Sequence, residues 1–121
     1  MHLILDVSRT NDVTVVRCRG RIVFGEEADE LRRVLLGLLK ETQRIVLDLA
    51  WTDFIDSSGL GVLVASLISA RHRHAEIKIA ALGRRARQVL MTARVDKLFE
   101  VHNSADEAIQ SFHSRPHAAA G

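Results

Sequence analysis

The sequence predicts an α/β fold: a mixed β-sheet of four to five strands, partly parallel, flanked by about four helices. Three observations carry this expectation. The chain opens with two strand-like runs, residues 3–9 and 13–19, separated by turn residues. From residue 26 onward, helix-like and strand-like periods alternate to the end. The 121 residues are 47% hydrophobic and 26% charged, which suits one domain with its own core. Two adjacent opening strands imply an antiparallel pair, and the alternation that follows implies a parallel portion.

Each element has its own signal. Leu3, Leu5 and Val7 alternate with Ile4, Asp6 and Ser8, giving a first strand that ends near Arg9. Asn11-Asp12 supplies turn chemistry. Residues 13–19 are rich in valine and form a second strand, broken at Gly20, with Ile22-Val23-Phe24 as a short continuation. Gly25-Glu26-Glu27 opens a helix with carboxylates at its positive end. Leu31, Val34, Leu35, Leu38 and Leu39 repeat at helical spacing, and the helix should end at residues 40–41.

Residues 44–49 are nearly continuously apolar, as in a central strand covered on both faces. Residues 50–56 read as a loop. A second helix follows to about His74, apolar nearly all round over residues 60–70 and therefore buried, with Leu60, Val64 and Leu67 in the core. Ile77, Ile79 and Ala81 alternate in the next strand. A third helix covers about 84–93, and residues 98–101 form a short edge-like strand. Ser104 with Glu107 three residues later is a capping-box pattern, opening a last helix with Ala108, Ile109 and Phe112 inward. Residues 1–113 thus form a single domain, and 114–121 a flexible C-terminal tail.

Composition excludes several classes. The chain has 17 Lys+Arg and 15 Asp+Glu, a net charge of +2 that does not by itself imply nucleic acid. With 4% aromatic residues and no tyrosine, it offers no stacking platform for single strands. One cysteine, Cys18, within an apolar run, excludes a disulfide framework and reads as a buried, inert thiol. The apolar stretch at 60–70 is far short of the ~20 residues that span a bilayer. The N-terminus has no basic segment, and Asp6 interrupts its apolar run, so no signal peptide is expected. A cytoplasmic protein without membrane insertion follows from these points. His72 and His74 stand two apart and share no helical face, so no metal site is expected. No HExxH, P-loop, GxGxxG or GxSxG pattern is present, which leaves no catalytic set and no cofactor motif. Residues 71–97 carry a net charge of +6 against −4 for the rest of the chain. They read either as a solvated helix face or as a docking surface for an acidic partner.

The informative segment is Asp56-Ser57-Ser58-Gly59-Leu60-Gly61-Val62-Leu63. It leaves a buried strand, crosses a loop and enters a buried helix. In open α/β sheets, ligands and partners gather at the carboxyl ends of parallel strands. Free N–H groups and the helix dipole favour an anion there. A phosphate on Ser57 would be tolerated by the fold, while Asp56 next door opposes the added charge. A plain structural account also fits: Ser57 or Ser58 as the helix N-cap, with glycines that permit close packing. Position favours Ser57 as the modified hydroxyl and Ser58 as the cap.

That segment resembles the signature loop of STAS domains. The resemblance runs over about residues 3–112 and includes the Ile45-Val46-Leu47-Asp48-Leu49 strand and the Leu98-Phe99-Glu100-Val101 segment. It implies the mixed sheet flanked by helices. For the bacterial anti-sigma factor antagonists of the family, it also implies a phosphoacceptor at the first serine after the aspartate, here Ser57. The implied partner is an anti-sigma factor that is also a serine kinase of the histidine-kinase-like ATPase fold. It binds the unphosphorylated antagonist, and a phosphatase reverses the modification. The implied contact residues are Asp56, Ser57, Ser58, Gly59, Leu60 and Glu26. Two departures stand out. The acidic residue usual soon after the second-strand glycine is missing from Gly20-Arg21-Ile22-Val23, with Glu26 and Glu27 slightly later, and Ala93-Arg94-Val95 replaces a common Thr-Gly-Leu.

The sequence therefore points to a non-enzymatic antagonist, switched off by phosphorylation at Ser57, that regulates sigma-factor-dependent transcription. Two other readings remain open at this level. One is a STAS scaffold or adaptor in a stress-signalling or transporter complex, never phosphorylated. The other is a module that senses an anion or nucleotide at the helix N-terminus. No oligomeric state and no direct contact with nucleic acid follows from the sequence.

Overall fold

Alternation in the opening residues produces an antiparallel hairpin in the computed structural model, which describes residues 3–113. Strand β1 (Ile4–Thr10) pairs with β2 (Val13–Ile22), from Ile4 opposite Arg19 to Thr10 opposite Val13. The turn is Asn11-Asp12, and Asn11 takes φ 57°, a left-handed conformation that asparagine accepts more readily than most residues. Gly20 does not end β2. It takes φ 118°, and the pairing register shifts between Gly20 and Arg21. The glycine makes a bulge, and the strand continues to Ile22. The separate short strand expected at 22–24 is only this continuation, with Val23 and Phe24 beyond it.

Helix α1 (Glu26–Leu38) begins where its acidic first turn predicts and ends two residues early. Strand β3 (Arg44–Asp48) runs parallel to β2. The expected loop at 50–56 contains a strand, β4 (Thr52–Ile55), also parallel to β2, from Gly20 opposite Thr52 to Ile22 opposite Ile55. The ten residues of β2 are long enough to pair first with β3 and then with β4 along its length. The pairing is set by the partner strand rather than by local alternation, so the segment itself gave no strand signal.

Helix α2 (Ser57–His72) follows, then β5 (Glu76–Ala80), helix α3 (Arg84–Thr92), β6 (Val101–His102) and helix α4 (Ala105–His113). Residues 98–101 are not one strand. A 3-10 turn occupies Asp96–Leu98, and only Val101–His102 pairs, with β5. The sheet order is β1-β2-β3-β5-β6 with β4 on β2: six strands and four helices, one strand more than the upper expectation. The tail at 114–121 lies outside the described residues.

Two apolar layers sandwich the sheet. Leu31 and Leu35 of α1, Leu63 and Leu67 of α2 and Leu90 of α3 pack on Ile45, Leu47 and Ile79 in the larger core. On the other face, Ala108, Ile109 and Phe112 of α4 cover Val13, Val15 and Val46. Val64, expected in the core, is only half-buried at its edge. Cys18 lies inside the larger core, and burial, helped by the Asp48 carboxylate, pushes its thiol up to about 12, so it is an inert core residue. Ser104 caps α4 by accepting from Glu107 N at 3.1 Å, while Glu107 reaches back to Asn103 N at 3.2 Å, one residue beyond the usual box.

Because β2, β3, β4 and β5 are mutually parallel, the helices that leave β2, β4 and β5 all start at the same end of the sheet. The N-termini of α1, α2 and α3 therefore gather there, and the Asp56–Leu63 segment sits among them.

Candidate functional site

Asp56 organises this end of the molecule. It is the N-cap of α2, in extended backbone, and its Oδ1 accepts from Gly59 N at 2.8 Å. Its Oδ2 accepts from Phe24 N at 3.0 Å, which ties the entry of α1 to the entry of α2. Desolvation pushes the Asp56 carboxyl up, but the backbone N–H groups of Gly59, Phe24 and Ser58 outweigh it and hold the pKa below its usual 3.8. The carboxylate is thus a fixed anion with both oxygens engaged.

This corrects the assignment of the cap. Neither Ser57 nor Ser58 caps the helix; Asp56 does, because it is the residue just before the first helical position, from which its side chain reaches Gly59 N, three residues on. Ser57 and Ser58 are the first two residues of α2. Ser57 is exposed, whereas Ser58 is half-buried on the side facing α1.

The two glycines differ. A Cβ on Gly59 would overlap the Ile22 carbonyl oxygen and come within 2.8 Å of Ile22 Cγ2, so α2 approaches the end of β2 too closely for any side chain. A Cβ on Gly61 would meet nothing within 4 Å. Of the six expected contact residues, Ser57 is exposed, and Asp56 and Ser58 are partly so. Gly59 is buried by its packing on Ile22, and Leu60 is 7% exposed. Glu26 is exposed in the first turn of α1, at the same end, but no hydrogen bond or ion pair joins it to the α2 residues among those described.

The segment borders a groove of about 1070 Å³, with Phe54, Ser57 and Leu60 on one wall and Arg85, Val89 and Met91 of α3 on the other. Phe24 on the α1 side is 79% exposed, Met91 56% and Phe54 37%. Sequence reasoning missed these apolar residues. A phenylalanine between a strand and an acidic helix start was the available signal, but whether such a residue is covered or exposed depends on what the folded chain packs against it.

The basic stretch at 71–97 does not form one surface. Lys78 is buried under α4, where it donates to Ser111 Oγ at 2.5 Å, pairs with Glu100 at 3.0 Å and stands 4.2 Å from the Phe112 ring centre. Arg71 and Arg73 lie at the far end of α2. Only Arg84, Arg85 and Arg87, in the first turn of α3, are at the site end.

Comparison with known proteins agrees with this architecture. The family model for the STAS domain matches residues 5–108. A Bordetella bronchiseptica protein assigned as an anti-sigma factor antagonist, BtrV, is 28% identical over 102 residues, covering 84% of this chain and 88% of that one. The crystal structure of an anti-sigma factor antagonist candidate from Thermotoga maritima superposes with a TM-score of 0.84 at 20% identity, over 91% of this chain and 95% of that one. The Bacillus protein SpoIIAA in its phosphorylated form gives 0.72 at 15% identity, over 90% of this chain and 99% of that one. The matched span runs from β1 into α4 and takes in the whole Asp56–Leu63 segment, and this chain belongs to the STAS domain family.

Proposed function

We propose that this protein is a cytoplasmic anti-sigma factor antagonist, without catalytic activity of its own, switched by phosphorylation of Ser57. The observation that carries the reading is the exposed Ser57 hydroxyl at the first position of α2, directly after an aspartate whose two oxygens are both committed to backbone N–H groups. A kinase can reach Ser57 without unfolding anything. The names borne by BtrV and by the Thermotoga protein support the antagonist role, and the phosphorylated SpoIIAA structure supports a phosphoacceptor in this fold.

In this reading the partner is an anti-sigma factor that is also a serine kinase with a histidine-kinase-like ATPase fold. Binding the unphosphorylated antagonist occupies it and frees the sigma factor. Phosphate at Ser57 adds about −1.5 to −2 charge beside the Asp56 carboxylate. The helix N-terminus accommodates that charge, so the fold persists while the docking face turns strongly negative. A phosphatase restores binding.

The test is to incubate the chain with the serine kinase it binds in its native cell, together with ATP, and to map the modified residue by mass spectrometry. Phosphate should appear on Ser57 alone. Ser57→Ala should bind the kinase without being modified, and Ser57→Asp should fold normally but bind weakly. Phosphate on Ser58, or no phosphate after verified kinase binding, overturns the proposal.

A further inference from the structure

The groove beside Ser57 has a chemistry of its own. Its lining is largely apolar, from Phe54, Leu60, Val89 and Met91, with Asp56, Gln88 and Thr92 beside them, and it is an open groove between β4, the start of α2 and α3. One lip is basic. Arg85 lines the groove, and Arg84 and Arg87 share the first turn of α3 with it, all three exposed. No acidic residue lies in that turn, and among the described residues none of the three arginines forms an ion pair. Three cations at the positive end of a helix oppose the macrodipole, so folding does not account for them. One carboxylate, Asp56, also lines the groove, and its oxygens are held by Gly59 N and Phe24 N at the α2 side, across from the arginines of α3.

We infer that this groove seats a segment of the partner protein in which an apolar side chain is flanked by carboxylates. The apolar residue fills the space between Phe54, Leu60 and Met91, and the carboxylates meet Arg84, Arg85 and Arg87. A nucleic-acid backbone would engage the arginines but has nothing to cover Phe54, Leu60, Val89 and Met91 beside them, which favours a protein segment that offers both carboxylates and an apolar side chain. The inference rests on the reading of Ser57 as the switch, and it explains how the switch acts. Ser57 lines the same groove as Arg85. A phosphate there competes with the segment's carboxylates for the arginine and repels them, so the same charges that attract the segment expel it after modification.

The experiment uses the full chain, isotope-labelled for NMR, and two synthetic peptide pools: nine-residue sequences randomised over Glu, Asp, Leu and Phe, and the same design with Lys and Arg in place of the acids. The acidic pool should shift the amides of Phe54, Ser57, Val89 and Met91 saturably, and the basic pool should not. Arg84→Glu combined with Arg87→Glu should weaken the acidic pool at least ~10-fold while raising the melting temperature, because acids suit a helix N-terminus. Phosphoserine installed at position 57 during translation should weaken it similarly. That arm needs no kinase, so a failed groove and a failed phosphoacceptor assignment give different results. Shifts elsewhere, no binding, equal response to both pools, or tighter binding to anionic vesicles or an oligonucleotide would each overturn the inference.

Discussion

Gly59 and Gly61 stand two residues apart in α2 and obey different constraints. At Gly59 the helix backbone presses on the last residue of β2, and a methyl group would have to displace a carbonyl. Gly59→Ala should cost about 2–3 kcal/mol, within the range for overpacking a rigid site. Gly61 faces open space, so Gly61→Ala should stabilise the exposed helix surface by about 0.5–1 kcal/mol. Urea titration of both variants checks the pair; equal effects would mean that α2 does not approach Ile22 as described. Ser58 is not a cap, so Ser58→Ala should change stability by less than about 0.5 kcal/mol, whereas Asp56→Ala should cost about 0.5–2 kcal/mol.

The elements show where the chain accepts strain and where it does not. Both α2 and α3 close with a Schellman pair: Ala75 N to Ala70 O with His74 N to Arg71 O, and Val95 N to Leu90 O with Arg94 N to Met91 O. The pivot residues are His74 at φ 59° and Arg94 at φ 61°, positions where glycine is the unstrained choice. Arg94 is also where the sequence departs from a common Thr-Gly-Leu pattern. Arg94→Gly should therefore raise stability by about 0.5–1 kcal/mol, the relief of left-handed strain less the added freedom of the unfolded chain; a lower melting temperature would refute this. Within α2, Leu67 is 3% exposed against the core, and Leu67→Ala should cost about 2–5 kcal/mol in the same titration.

For the whole molecule, three carboxylates couple folding to pH. Asp12 is held low by its hydrogen bond to His113, with Arg44 adding to the effect. Desolvation raises Asp56 and Glu100, but hydrogen bonds from Gly59 and Phe24 in one case, and from His102 and Lys78 in the other, outweigh it. All three have folded values below the ordinary 3.8 for aspartate and 4.5 for glutamate. Near those values the unfolded chain binds more protons than the folded one. The stabilisation is therefore complete above about pH 5 and is lost progressively as pH falls through 4. Urea midpoints measured from pH 6 to pH 3 should fall in that window. Asp56→Asn should flatten part of the fall, since the amide keeps an acceptor for Gly59 N and does not titrate.

Periodicity alone determined that the chain is a mixed α/β domain, because strand and helix repeats survive in residues 13–19, 31–39 and 44–49 whatever they pack against. The Asp56–Leu63 string marked the candidate site, because an aspartate, two serines and two glycines between a buried strand and a buried helix admit few local structures. Tertiary structure decided the rest. β4 exists because the long β2 offers it an edge, not because residues 52–55 alternate. Asp56 rather than Ser58 caps α2 because the helix starts at Ser57, and its second oxygen finds Phe24 N from a segment 32 residues away, a partner no local pattern reveals. The basic stretch at 71–97 divides among a buried lysine, the far end of α2 and the lip of the groove because β5 carries the chain from the end of α2 across the sheet to the start of α3 and buries Lys78 on the way. Local signals survive in a sequence; which distant backbone group a side chain meets depends on how the chain returns to itself.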